Sequence, residues 1–325
     1  MHLEPRLVLG ALVLAAPLGA QVRIAQHGIE YISVEIKGKP FTQFFIGPET
    51  NKPYLHPLRS ASGNIVTRGF PMEDLPGEAH DHPHHRGLWF AHGDVNGFDF
   101  WGNETRGGKF GRIVLRKINS AAGGKDSGLI DAAFEWRDPS GKVLLTEARL
   151  MTFYAQPKNR PIDFDITLTA VEKVKFGDTK EGTFALRVAS GLEEPRNGVP
   201  VEPPRTGHIV DSQGREGEKQ VWGKRADWVD FYGVVNGEPL GIAMFDHPSN
   251  PRHPSWWHAR GYGLFAANIF GLHDFEPDKT GKSTDGSLTL MPGETLRFRY
   301  RLVIHPGDVQ SAHIARLYAD YAGGR

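Results

Sequence analysis

Stretches in which apolar and polar residues alternate one by one recur along the whole chain. A period of two fits a strand with one buried face and does not fit a helix. Ile162, Phe164, Ile166, Leu168 and Ala170 alternate with Asp163, Asp165, Thr167 and Thr169. Leu296, Phe298, Tyr300, Leu302 and Ile304 alternate with Arg297, Arg299 and Arg301, behind a turn at Met291-Pro292-Gly293-Glu294. Ile32, Val34 and Ile36 make a third case. Turn residues separate such runs at Gly63-Asn64, Asp138-Pro139-Ser140-Gly141 and Asn236-Gly237. With 39 glycines and 23 prolines in 325 residues, long helices are excluded as the main element. Only 308–321 reads as a helix, with Asp308 as N-cap and Val309, Ala312, Leu317 and Tyr321 at roughly helical spacing. The polar, Pro- and Gly-rich stretch 191–220 reads as a long loop or flap. The expectation is an all-β fold: about fifteen strands in one large antiparallel β-sandwich over 21–325, closed by a short C-terminal helix. Two consecutive sandwich domains are the alternative.

Arg6, an apolar run from Leu7 to Leu18 and small residues ending at Ala20 read as a signal peptide over 1–20. The expected location is therefore the periplasm or the outside of the cell. No other stretch approaches the ~20 apolar residues of a membrane span, so none is expected in the mature chain. Lys and Arg together number 38, as do Asp and Glu, so no charge excess favours nucleic acid as a partner. A small molecule or an oligosaccharide is the better default. Cysteine is absent, which removes disulfides, thiolate metal sites and Cys nucleophiles. Any divalent metal would have to be held by His and carboxylate.

Histidine is unevenly placed. Five of the 15 histidines fall between 80 and 92, in His80-Asp81-His82-Pro83-His84-His85-Arg86-Gly87-Leu88-Trp89-Phe90-Ala91-His92. Three more, His247, His253 and His258, lie between Phe245-Asp246-His247-Pro248 and Trp256-Trp257-His258. In an extended segment His82 and His84 point to one side, roughly 6.5 Å apart, while His85 faces away. That spacing suits two imidazoles meeting one metal or one substrate. Pro83 and Pro248 are expected to hold their neighbours extended at a rim. Imidazoles beside Asp81, Arg86, Trp89 and Phe90 form a group that titrates near neutral pH next to flat apolar surface. Trp89, Trp101, Trp256 and Trp257 all lie near polar residues, as sugar-stacking rings do, although core packing explains each alone equally well.

In Lys180-Glu181-Gly182-Thr183-Phe184-Ala185-Leu186-Arg187-Val188, Glu181 falls in register with Arg187, so both can look into one cleft. A carboxylate beside a fixed guanidinium can serve as general base or bind a sugar hydroxyl. Asn96, Asp99 and Asn103 read first as turn formers, with Asn96 also a candidate for a sugar hydroxyl. There is no Gly-x-Ser-x-Gly elbow, phosphate loop, dinucleotide fingerprint or His-Glu-x-x-His pattern.

Tyr54-Leu55-His56-Pro57-Leu58, Gly63-Asn64-Ile65-Val66-Thr67-Arg68, Asp81-His82-Pro83-His84-His85-Arg86-Gly87-Leu88-Trp89, Asp94-Val95-Asn96-Gly97-Phe98-Asp99-Phe100-Trp101, Lys180-Glu181-Gly182 and Phe245-Asp246-His247-Pro248 together resemble a bacterial family of unknown function labelled "methane oxygenase PmoA". The resemblance covers nearly all of the chain after residue 20. The PmoA subunit of particulate methane monooxygenase is an integral membrane protein, which conflicts with a sequence lacking any such span. Membership implies an exported β-sandwich protein of bacteria that degrade complex carbohydrates, similar in outline to the galactose mutarotase-like supersandwich of aldose epimerases.

Three functions are weighed. The first is an epimerase, lyase or hydrolase acting on a sugar or glycoside. His84, His85, Glu181, His247 and His258 would be its catalytic candidates; Asp81, Arg86, Trp89, Asn96, Arg187, His253 and Trp257 would bind substrate. His82 and His84 are the candidate metal ligands. The second is a carbohydrate-binding protein without turnover, and the third a metal-dependent oxygenase.

Overall fold

The computed structural model describes residues 21–103, 108–195, 202–277 and 285–324. The stretch 1–20, read as a signal peptide, lies outside them. The first strands are β1 (Val22–His27), β2 (Tyr31–Ile36), β3 (Lys39–Phe45), β4 (Tyr54–His56) and β5 (Leu88–His92). Four long strands follow: β6 (Arg112–Ala122), β7 (Ser127–Arg137), β8 (Val143–Tyr154) and β9 (Arg160–Ala170). Next come β10 (Val174–Phe176), β11 (Gly182–Arg187), β12 (His208–Asp211), β13 (Trp228–Val235) and β14 (Glu238–Asp246). The last are β15 (Trp256–Trp257), β16 (Leu264–Asn268), β17 (Leu288–Leu290) and β18 (Thr295–Pro306).

Sixteen of these strands build a large antiparallel β-sandwich of two eight-stranded sheets, ordered β1-β2-β3-β4-β5-β11-β16-β15 and β12-β13-β14-β18-β9-β8-β7-β6, and β10 pairs with β17 apart from them. Both halves of the chain enter both sheets, and one apolar cluster takes side chains from each. The alternating runs do what their period dictates. Along β9 and β18 the apolar members face inward and pair in register, Phe164 beside Tyr300 and Ile166 beside Phe298. Each large apolar side chain so buried contributes about 1.5–3 kcal/mol. Asn236 and Gly237 take positive φ (50° and 80°), the backbone that a two-residue hairpin between β13 and β14 needs.

Three short α-helices, α1 (Glu218–Val221), α2 (Leu272–Phe275) and α3 (Ile314–Ala322), and a 3-10 turn at Ser190–Leu192 complete the described chain. The C-terminal helix thus starts six residues later than Asp308. That carboxylate instead accepts from the backbone N–H of Gln310 (3.1 Å) and Ser311 (2.8 Å), closing a turn, and His313 then takes φ 53°, which helix cannot propagate through. The stretch 191–220 is also not loop throughout: it holds β12 and α1, while 196–201 lie outside the described residues. No helix among the described residues is long and apolar enough to cross a membrane.

Strands β5 and β11 lie side by side in the first sheet, and their alternation sorts two sets of side chains. Phe90 and Phe184 face the second sheet, meeting Trp136 and Phe298, and Phe164 and Tyr300. Trp89 and Arg187, of opposite parity, stand on the other face of the sheet, where loops cover them.

Candidate active site

The loop 79–87 folds over Trp89 and Arg187 because a buried guanidinium gathers it. Arg68, 1% exposed, donates to the carbonyls of Ala79 (3.1 Å), Asp81 (2.9 Å) and His82 (2.9 Å) and to Asp81 Oδ1 (2.7 Å). Burial and the neighbouring Arg187 lower its pKa to about 10, so it stays charged at neutral pH. At the loop's end Gly87 has φ 51°, and a Cβ there would stand 2.1 Å from the Leu55 carbonyl oxygen, so only glycine leads the chain into β5.

The segment 82–85 is a tight turn and not extended backbone. Pro83 occupies its second position, and His85 N–H donates to the His82 carbonyl at 3.0 Å. His85 consequently does not face away from its neighbours. Its ring stacks on His82 (4.7 Å, 7°), and His84 stands edge-on to both, at 5.6 Å from His82 and 4.4 Å from His85. The stack runs on in both directions, to Tyr262 above His82 (5.5 Å) and to Trp89 below His85 (5.2 Å). Pro248 likewise sits inside a turn, closed by Asn250 N–H on the His247 carbonyl at 2.8 Å.

A cavity of about 370 Å³ opens beside this stack, lined by His82, His84 and His85 from the loop, Glu181 at the start of β11, Asp99 and Trp101, Phe110 and Tyr262. The turn 99–103 forms one wall. Asp99 Oδ1 accepts from the N–H groups of Trp101 and Gly102, each at 2.7 Å. Behind it the buried Lys52 ammonium donates to Trp101 O and Asn103 Oδ1, each at 2.8 Å. Glu181 is placed by its neighbours: His258 Nδ1 holds the Lys180 carbonyl at 3.0 Å, and Gly182 packs where a Cβ would stand 2.6 Å from His92 Nδ1.

Electrostatics divide these groups. Asp81 Oδ2 lies 3.0 Å from His82 Nδ1, while Oδ1 accepts from Arg68 (2.7 Å) and Arg187 (3.2 Å). Burial alone would raise the Asp81 pKa, but the His82 hydrogen bond and the two guanidinium groups outweigh it and keep the carboxyl ionised. A carboxylate on Nδ1 puts the His82 proton there and leaves Nε2 as a lone-pair acceptor. Arg187 NH1 faces His85 Nδ1 at 3.4 Å, and since Arg only donates, the His85 proton is on Nε2. Burial, then the charges of Lys52 and His82, lower the His84 pKa to about 3; burial also holds His85 well below its ordinary value. Glu181 and Asp99 are both pushed up, chiefly by burial.

The remaining candidates lie elsewhere. Trp89 is covered by His85 and 1% exposed, so it supports the stack from below. Arg187 is beneath the cavity, bonded to Asp81. Arg86 stands over the Tyr54 ring at 5.7 Å. Asn96 spans backbone, accepting from Lys175 N–H (2.7 Å) and donating to the Lys173 carbonyl (3.1 Å). His253 Nδ1 bonds the buried Asp246 at 2.9 Å. Trp257 is in the core, its Nε1–H on the Ala226 carbonyl at 2.8 Å. His258 is buried behind Glu181, with burial lowering its pKa to about 4, and His247 lines a different groove. No three His, Asp or Glu side chains among the described residues are grouped to hold a metal ion, His82 and His84 included.

Asp99, Phe110 and Tyr262 line the cavity without having been singled out as catalytic or binding groups. Tyr262 sits between Gly261 and Gly263, a local aromatic signal that no period reveals.

The family described as "Family of unknown function (DUF6807)" matches residues 31–319. No curated protein matches the chain. Among solved structures it is similar to a galactose mutarotase-like protein from Clostridium acetobutylicum, with 12% identity over 89% of this chain and 99% of that one, at a TM-score of 0.40. A galactose mutarotase-like protein from Lactobacillus casei ATCC 334 shares 7% identity over 87% and 100% of the two chains, at 0.39. A GH36 α-galactosidase AgaA variant from Geobacillus stearothermophilus, in complex with raffinose, shares 9% identity over 78% of this chain and 30% of that one, at 0.31. The chain thus spans less than a third of that enzyme's length. No activity follows from likenesses of this size.

Proposed function

Because the chain belongs to this family of unknown function, its reaction has to come from its own cavity, and we propose that it is a carbohydrate-active enzyme working by acid–base catalysis. The observation that carries the reading is that His82, oriented by Asp81, and Glu181, favoured in its protonated form by burial, line one cavity with Trp101, Phe110 and Tyr262. A volume of about 370 Å³ falls within the roughly 300–1,000 Å³ of small-molecule sites. Sugar rings stack an apolar face on aromatic side chains and offer hydroxyls in their plane, which this mixture of rings and hydrogen-bonding groups suits.

In the proposed step His82 Nε2 accepts a proton from the sugar while the Glu181 carboxyl donates one to the oxygen where charge develops. Asp81 stays ionised and stabilises the imidazolium, as the orienting carboxylate of a triad does. Asp99, also pushed up by burial, can hydrogen-bond a hydroxyl as donor or acceptor. Such a pair serves epimerisation or elimination, where one proton leaves carbon or hydroxyl as another arrives.

Proton NMR of the purified protein with aldoses, uronates and methyl glycosides tests this reading. Turnover of at least one sugar by the wild type, lost in E181Q with binding retained, supports it. Equal turnover by E181Q refutes the acid–base assignment. Binding without turnover of any sugar leaves a carbohydrate-binding protein.

A further inference from the structure

A second cavity, of about 390 Å³, lies on the outer face of the second sheet where α3 leans over β8, β9 and β18. Thr152, Asp163, His247, Arg299, Arg301 and Tyr321 line it. Two charges cancel locally, since Arg301 holds Asp163 through Nε–Oδ1 (2.5 Å) and NH2–Oδ2 (2.7 Å). Just beyond, Arg297 is paired with Asp165 through two hydrogen bonds. Arg299 is different: its guanidinium bonds only the Ser249 hydroxyl, and no carboxylate pairs with it among the described residues. The lining thus carries Arg299 and Arg301 with Asp163 and Asp165, each carboxylate already held by an arginine, and Arg299 is the lining guanidinium with no carboxylate partner among the described residues.

The neutral groups there are donors as well. Ser249 N–H donates to His247 Nδ1 at 3.1 Å, so Nδ1 is an acceptor and the imidazole proton is on Nε2. Burial and the Arg299 charge lower the His247 pKa, which favours this neutral form. The Tyr321 and Thr152 hydroxyls make no hydrogen bond among the described residues, and Tyr321 is 9% exposed. The tautomer is opposite to that of His82, whose Nε2 is left as an acceptor. A cavity in which one guanidinium lacks a carboxylate partner and N–H and O–H donors stand beside it suits an anionic oxygen group. Its volume exceeds that of a bare ion, and the Tyr321 and Tyr154 rings line it with the Arg301 guanidinium over both, at 4.6 and 5.6 Å. We propose that this cavity is a second ligand site, separate from that of the histidine loop, which binds the carboxylate and ring of an acidic sugar.

Calorimetric titration of the full chain with glucuronate and galacturonate, against glucose, galactose and acetate, tests the proposal. The uronates should bind at least about tenfold more tightly than either neutral sugar or acetate, the size expected of a charge-assisted contact. R299Q should weaken uronate binding by at least about tenfold, and R299K by less. If R299Q lowers thermal stability, T152V supplies a milder variant that should still weaken binding, and the His247 imidazole NMR signals should shift on titration. Equal affinity for glucose and glucuronate, equal affinity for acetate, or indifference to R299Q each overturns it.

Discussion

Asp81 gives one carboxylate oxygen to His82 Nδ1 at 3.0 Å and the other to the buried Arg68 at 2.7 Å, so the residue that orients the imidazole is itself fixed to the core. Substituting D81N keeps the shape but offers an amide in place of the charge, which no longer enforces the tautomer with Nε2 free. The expected outcome is a loss of turnover of about 10²- to 10⁴-fold with ligand affinity little changed. Steady-state kinetics beside calorimetric binding on the same sugar checks it, and turnover within a few-fold of wild type would contradict the dyad.

In the proposed step Glu181 acts in its protonated form. As an acid whose pKa is raised, it loses its proton as pH rises through that value, so turnover should fall on the alkaline side at a pH above the ordinary carboxyl value of 4.5. E181Q should cost about 10²- to 10⁴-fold in turnover. A kcat/KM profile that stays flat across the neutral range would set Glu181 aside as the acid.

Arg68 is a structural prediction. R68A removes four hydrogen bonds at 3.1 Å or less and leaves carbonyls and a carboxylate without their donor. It should cost about 2–4 kcal/mol; R68K should cost less, because an ammonium keeps a charged donor there, although it cannot span all the same acceptors. Urea unfolding measures it, and a change below about 0.5 kcal/mol would show that the loop is held by something else.

Four buried imidazoles and the half-buried His84 make the fold acid-sensitive. Burial lowers His56, His92 and His258 to about 4 and His84 to about 3, and puts His85 well below 6.5, the ordinary value. Between those values the unfolded chain binds more protons than the fold, so stability is complete above the ordinary value and is lost as pH falls toward the folded ones. Tm should decline below about pH 6. A Tm unchanged down to pH 4.5 would contradict the neutral buried histidines.

The sequence made the layers legible and the site only in part, for a physical reason. Alternation in 162–170 and 296–304 reports which face of a strand is buried, and β9 and β18 obey it residue by residue. Histidine content carries no such direction. Pro83 was equally compatible with an extended rim and with the second position of a turn, and the turn reverses where His85 points. His247 and His258 share a stretch of chain, yet one lines the groove under α3 and the other is buried behind Glu181. Asp99 sits in an Asn-Gly-Phe-Asp run that any turn would use. Its second role depends on Glu181, 82 positions away, which no local pattern connects to it.

The most direct measurement is a crystal structure of E181Q soaked with a sugar that the wild type binds. A ring seated against Trp101 and Tyr262, with a hydroxyl or acidic C–H facing His82 Nε2 and an oxygen facing position 181, is the predicted result. A sugar bound only elsewhere, with the histidine turn open to solvent, would contradict the assignment of this cavity.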